Sequence, residues 1–117
     1  GRYLPEYQKI KKQEKDMLGL FLNPKKATTI TLQPVKRFQT SAAIIFSDIL
    51  MVPYGLGQSL YFDNKKGPRL GNILNKPVLK FDKKKFDSLL SPVYKTISTT
   101  KKKLNKQTAL LGFSGSP

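Results

Sequence analysis

Cysteine is absent from this chain of 117 residues, and so is histidine. Without cysteine there is no disulfide framework, and a thiolate metal site is excluded. Without histidine the commonest general base and the commonest metal ligand are both missing. No apolar run approaches the length of a membrane span, and no signal-peptide pattern opens the chain. These absences predict a reducing, cytoplasmic setting with no membrane partner and no metal. Arginine is scarce, confined to Arg2, Arg37 and Arg69, and acidic side chains number 7 against 22 basic ones.

The resulting net charge of +15 is almost all lysine. It falls in small groups spread along the chain: Lys11-Lys12, Lys25-Lys26, Lys65-Lys66, Lys83 to Lys85 and Lys101 to Lys103. A nucleic-acid module would more often interleave arginine and aromatic residues within one patch. The pattern therefore reads as a solvated lysine-rich surface, with no nucleic-acid partner expected. A lysine-rich, non-enzymatic nucleic-acid-binding module is the alternative from a different class.

The most informative stretch runs from Ser41 to Met51. Ala42 to Phe46 is a continuous apolar run, expected to be a strand buried on both faces as in a parallel sheet. Asp48 falls where that strand should end, and a carboxylate there is not ionised cheaply unless something pairs with it. The carboxyl ends of strands carry the chemistry in parallel α/β folds, which makes Asp48 the first candidate functional residue. The competing structural role is a turn cap after the strand.

Pro5-Glu6 predicts a helix start, with proline at the first helical position and an acid at the positive end. Tyr7, Ile10 and Met17 would form its apolar side. Asn23-Pro24 repeats the signal. Ala27 to Leu32 reads as strand by propensity, but Ala27, Ile30, Thr31, Pro34, Val35 and Phe38 recur at helical spacing. A helix bent at Pro34 is preferred. A long loop broken by Pro53, Gly55, Gly57, Gly67, Pro68 and Gly71 follows the strand, with short pairing segments expected at Ser59 to Phe62 and Val78 to Phe81. The three glycines Gly55, Gly57 and Gly67 read as turn glycines, since no P-loop Lys-Ser/Thr pair follows them. Ser91-Pro92 is expected to open a helix carrying Val93, Tyr94, Ile97 and Leu104, and Thr108 to Phe113 to be a second buried strand.

Helix, helix, strand, loop, helix, strand implies an α/β chain with parallel strands joined by a helical crossover. Two strands are too few for an independent sheet, and a (β/α)8 barrel takes about 250 residues. The chain starts at Gly1 without a methionine and stops at Pro117 just after an apolar segment. Residues 1–117 are thus expected to be a partial barrel domain, truncated at both ends.

Several segments, in order, resemble the uroporphyrinogen decarboxylase family. They are Gly1-Arg2-Tyr3-Leu4-Pro5-Glu6-Tyr7, Ile30-Thr31-Leu32-Gln33-Pro34-Val35-Lys36-Arg37-Phe38, and Ala42-Ala43-Ile44-Ile45-Phe46-Ser47-Asp48-Ile49-Leu50 with Val52-Pro53. Leu60-Tyr61-Phe62, Gly67-Pro68-Arg69 and Leu110-Leu111-Gly112-Phe113-Ser114-Gly115-Ser116-Pro117 complete the set. The resemblance implies the N-terminal part of a (β/α)8 TIM-type barrel and a cofactor-free decarboxylation of the acetate side chains of uroporphyrinogen, a tetrapyrrole. It implies a homodimer at full length. By the same resemblance Asp48 matches the aspartate that stabilises the protonated pyrrole, while Arg2 and Gly1 belong to an arginine-bearing substrate-binding segment. The family's other arginine of that segment would precede Gly1, and its tyrosine, serine and histidine would follow Pro117. The chain alone is expected to be inactive. A related barrel methyltransferase of the same superfamily is the runner-up enzyme. The family usually has an acid at Ser41 and alanine at Gly55, and neither position carries an assigned chemical role.

Overall fold

The computed structural model describes residues 2–14, 16–63, 67–71 and 81–115. Gly1, Lys65-Lys66, residues 78–80 of the expected pairing segment and Ser116-Pro117 lie outside the described residues. Helix α1 (Pro5–Lys12) has its proline at the N-terminus, Glu6 in the first turn and Lys9, Lys11 and Lys12 in the last, as the helix dipole favours. Met17 is not on it. It opens a separate short helix, α2 (Met17–Phe21), because the Asp16 carboxylate accepts the Leu18 amide at 3.2 Å and starts a new turn there.

Helix α3 (Pro24–Phe38) settles the ambiguous stretch in favour of the 3.6-residue period. Asn23 caps it by accepting the Lys26 amide at 3.1 Å, and Ala27, Ile30 and Thr31 are buried together. Pro34 lies inside it. The helix stops at Gln39, whose left-handed backbone (φ 51°) turns its amide back onto the Val35 carbonyl at 2.8 Å.

Strand β1 (Ala42–Ile44) follows, then α4 (Met51–Gly55), the antiparallel hairpin of β2 (Leu60–Asp63) and β3 (Gly67–Leu70), helix α5 (Lys83–Lys103) and β4 (Ala109–Leu111). Strands β1 and β4 pair in parallel, with Ala43 opposite Leu110, so the expected crossover is present. Both strands are shorter and wetter than expected. Helix α3 packs against β1 and buries Ala43, but Ile44 is 62% exposed, and Leu111 and Phe113 are about half exposed. Among the described residues α3 covers one face of β1 while Ile44 lies open on the other, so burial on both faces, which was expected, is not seen within residues 1–117.

Helix α5 also starts earlier than expected. The Asp82 carboxylate accepts the Lys85 amide at 3.1 Å and caps the helix, leaving Pro92 in its interior rather than at its first turn. An interior proline costs about 3 kcal/mol through a lost hydrogen bond and a ring clash. Packing carries the helix through it. Leu90 is buried with Phe21, Met51 and Leu60 in one core cluster, against which Phe86 and Val93 also rest. A second cluster holds Tyr7, Leu20 and Ile30. Phe46 touches both, its ring centroid 4.9 Å from that of Phe21 and 6.0 Å from that of Tyr7.

Candidate functional site

The path from β1 to Asp48 is fixed link by link. The Ile45 amide donates to the Leu111 carbonyl at 2.9 Å, the last rung shared with the neighbouring strand segment. The Phe46 amide leaves the ladder and donates to the Thr31 hydroxyl of α3 at 2.9 Å. Asp48 is not at the strand's last residue but four residues past it, in the turn that launches α4. Its Oδ1 accepts the Leu50 amide at 2.9 Å, and its carbonyl accepts the Met51 amide at 3.1 Å.

Asp48 is half-buried, and the three ion pairs seen among the described residues do not include it. The turn-cap role is present. One carboxylate oxygen serves it, which leaves the second for another partner.

Arg2 is exposed, and its carbonyl is held by the Gln8 side-chain amide one turn into α1. Its side chain borders a cleft of about 460 Å³ that runs along β1 from Thr40 to Ser47 and is walled by Tyr7, Ile30, Thr31 and Phe46. Arg2 and Ser47 thus face one space, whereas Asp48, next to Ser47, does not line it. Burial pushes the Tyr7 hydroxyl above the ordinary tyrosine value, and the Arg2 cation partly offsets this. Gly1 lies outside the described residues. Among the described residues no three His, Cys, Asp or Glu side chains come together, and no helix is long and apolar enough to cross a membrane.

Thr31 was not singled out for a role from the sequence. Its signal is a hydroxyl on the apolar face shared by Ala27, Ile30 and Pro34, where a buried polar group requires a partner. Gly55 is reassigned as well: it ends α4, buried against Phe86, and is no turn glycine. Gly57 (φ 89°) and Gly67 (φ 77°) do have the left-handed backbone of turns.

Two parallel strands joined through helices, with a carboxylate anchored in the turn beyond the first of them, make this an α/β chain. All of residues 1–117 match the family model described as Uroporphyrinogen decarboxylase (URO-D), and the chain belongs to that family. It is 46% identical over 120 residues to a uroporphyrinogen decarboxylase of Orientia tsutsugamushi, covering 100% of this chain and 34% of that protein. Proteins of the same name from Ruegeria pomeroyi and Roseobacter denitrificans are 45% and 43% identical, each over 121 residues, 100% of this chain and 35% of theirs. The chain spans about a third of the length of these curated relatives. None of the three carries the name of a methyltransferase or a nucleic-acid-binding protein.

Proposed function

We propose that residues 1–117 are the opening part of a (β/α)8 barrel that decarboxylates the acetate side chains of uroporphyrinogen to give coproporphyrinogen. The observation that carries the reading is the family match across the whole chain, joined to a carboxylate held rigidly just past a parallel strand. Protonating a ring carbon of the pyrrole creates a cation. The carbon–carbon bond to the departing carboxylate then breaks, its electron pair flows into the ring, and carbon dioxide leaves. A proton taken up on the remaining methylene completes the methyl group, and the proton added to the ring carbon then leaves, which restores the pyrrole.

Positive charge develops on the ring before carbon dioxide leaves, so a fixed anion near the pyrrole NH groups lowers that barrier most. Asp48 is assigned this part. Its Leu50 hydrogen bond orients one oxygen and leaves the other to accept from the substrate. Arg2, with the planar fork suited to carboxylates, is assigned to a substrate side chain. Gly1 belongs to the same segment by the resemblance. The working protein is expected to be a cytoplasmic homodimer that needs no metal or organic cofactor, with further site residues from the rest of the chain.

The test is Asp48→Asn in a full-length family member carrying this segment, with coproporphyrinogen formation followed by chromatography. Loss of one such electrostatic contact is expected to cost about 3 kcal/mol, or roughly 10²-fold in kcat. Activity within about twofold of the parent would remove Asp48 from the mechanism, since no transition-state contact of that kind is so cheap to lose.

A further inference from the structure

We infer that Thr31 is a positioning residue for Asp48, acting through the backbone of Phe46. The proposal rests on the reading of Asp48 given above. Where the parallel ladder ends, the next amide along the chain, that of Phe46, needs a partner, and it takes the Thr31 hydroxyl at 2.9 Å. The same hydroxyl donates to the Ala27 carbonyl at 2.8 Å, one turn back in α3. Thr31 is only 3% exposed, so its proton and a lone pair are both committed and water does not compete for them.

Two other threonines show that this is not the ordinary behaviour of a helical hydroxyl. Thr29 donates to the Lys25 carbonyl at 2.9 Å and Thr96 to the Pro92 carbonyl at 3.0 Å, the usual bond one turn back, and among the described residues each hydroxyl makes only that bond. Thr31 makes that bond and also reaches a second element. Its own orientation is locked by the bond to Ala27, so the Phe46 amide is tied to a rigid point on α3. The Phe46 ring is held in turn between Phe21 and Tyr7. Only Ser47 separates this anchor from Asp48, whose carboxylate is fixed from the other side by the Leu50 amide. Asp48 is thus suspended between two anchors. One of them is its own turn, and the other is Thr31. Cutting the second lets the 46–48 segment shift, and displacement of a charged group by an ångström is enough to lose much of its effect on a transition state.

Valine keeps the shape of threonine but neither donates nor accepts, whereas serine keeps the hydroxyl. In the full-length enzyme, Thr31→Val is expected to lower kcat about tenfold or more while KM stays within about threefold, the signature of a contact made in the transition state. Thr31→Ser is expected to recover activity to within about threefold. Placed in an Asp48→Asn background, Thr31→Val is expected to add less than about twofold, because both changes then act on one group. Unchanged kcat in Thr31→Val, with Asp48→Asn strongly impaired, overturns the positioning role and leaves Asp48 in place. A loss in Thr31→Val that only tracks the fraction folded by circular dichroism, or one fully additive with Asp48→Asn, also overturns it. Parent-like activity in Asp48→Asn overturns the reading on which the proposal rests, whatever Thr31→Val does.

Discussion

A β-carbon added at Gly55 would meet the Phe86 ring carbons Cδ2 and Cε2 at 2.8 Å and Leu90 Cδ1 at 3.0 Å. Helices α4 and α5 approach each other there because one of them has no side chain. Two effects oppose each other in Gly55→Ala. Helix propensity favours alanine by about 1 kcal/mol, while overpacking a filled site costs about 1–3 kcal/mol. The ring of Phe86 rests on a core cluster and cannot simply swing out, so the clash is expected to win. Gly55→Ala should lower the urea midpoint, and adding Phe86→Leu should restore most of it. A midpoint that rises in the single variant would show that the ring relaxes freely.

Glu6 and Arg37 are the other residue-scale device, tying the start of α1 to the end of α3 through two hydrogen bonds of 2.9 and 3.2 Å. The Arg37 hydrogen bond holds the Glu6 carboxyl below the ordinary glutamate value. Because the folded value is depressed, the contribution is complete above the unfolded value of about 4.3 and is lost as pH falls through the folded one. Glu6→Gln should therefore leave the melting temperature nearly unchanged at neutral pH, where an exposed pair adds little. It should flatten the decline between about pH 5 and pH 3. An acid decline identical to the parent's would mean that other carboxylates account for it, Asp87 with its Lys83 partner foremost.

At the scale of elements, end signals were readable where they were local. Pro5-Glu6, a proline with an acid, and Asn23-Pro24, a cap with a proline, each marked a helix start because these residues act within one turn. Asn23→Ala should cost about 1 kcal/mol in urea unfolding and Asn23→Ser almost nothing, since serine caps about as well. Equal losses in both would show that Asn23 matters for packing rather than capping. Ser91-Pro92 carried the same signal and misled, because the stabilisation that holds α5 together upstream of Pro92 is tertiary: Leu90 buried among Phe21, Met51 and Leu60. The strand after Ser41 was readable as apolar, but its end was not. Just past that end, a hydroxyl 15 residues earlier in the chain takes the Phe46 amide, a contact between two elements that no local pattern marks. The place of Asp48 after the strand was readable and the Arg2 segment stood out only through the family resemblance, whereas the Thr31–Phe46 bond left no more than a hydroxyl on an apolar helix face, since it requires two elements to be brought together.

For the molecule as a whole, the exposed apolar side chains and the fold must be read together. Ile44 on β1 is 62% exposed, Phe113 after β4 50% and Leu111 48%, beside two strands that, among the described residues, pair only with each other. Two-stranded sheets with a bare apolar face are marginal in water. The proposed barrel resolves this, because further strands on either edge and residues from them over Ile44 would bury that face, as layered side chains fill barrel interiors. Residues 1–117 expressed alone are therefore expected to bind a hydrophobic dye, to lose structure over a broad rather than a sharp thermal transition, and to show no decarboxylation. A chain of the relatives' full length should bury the same side chains, release the dye and melt cooperatively. A sharp transition without dye binding from residues 1–117 alone would mean that α3, α5 and the β1–β4 pair already form a self-sufficient unit, and the barrel assignment would then lose its physical support.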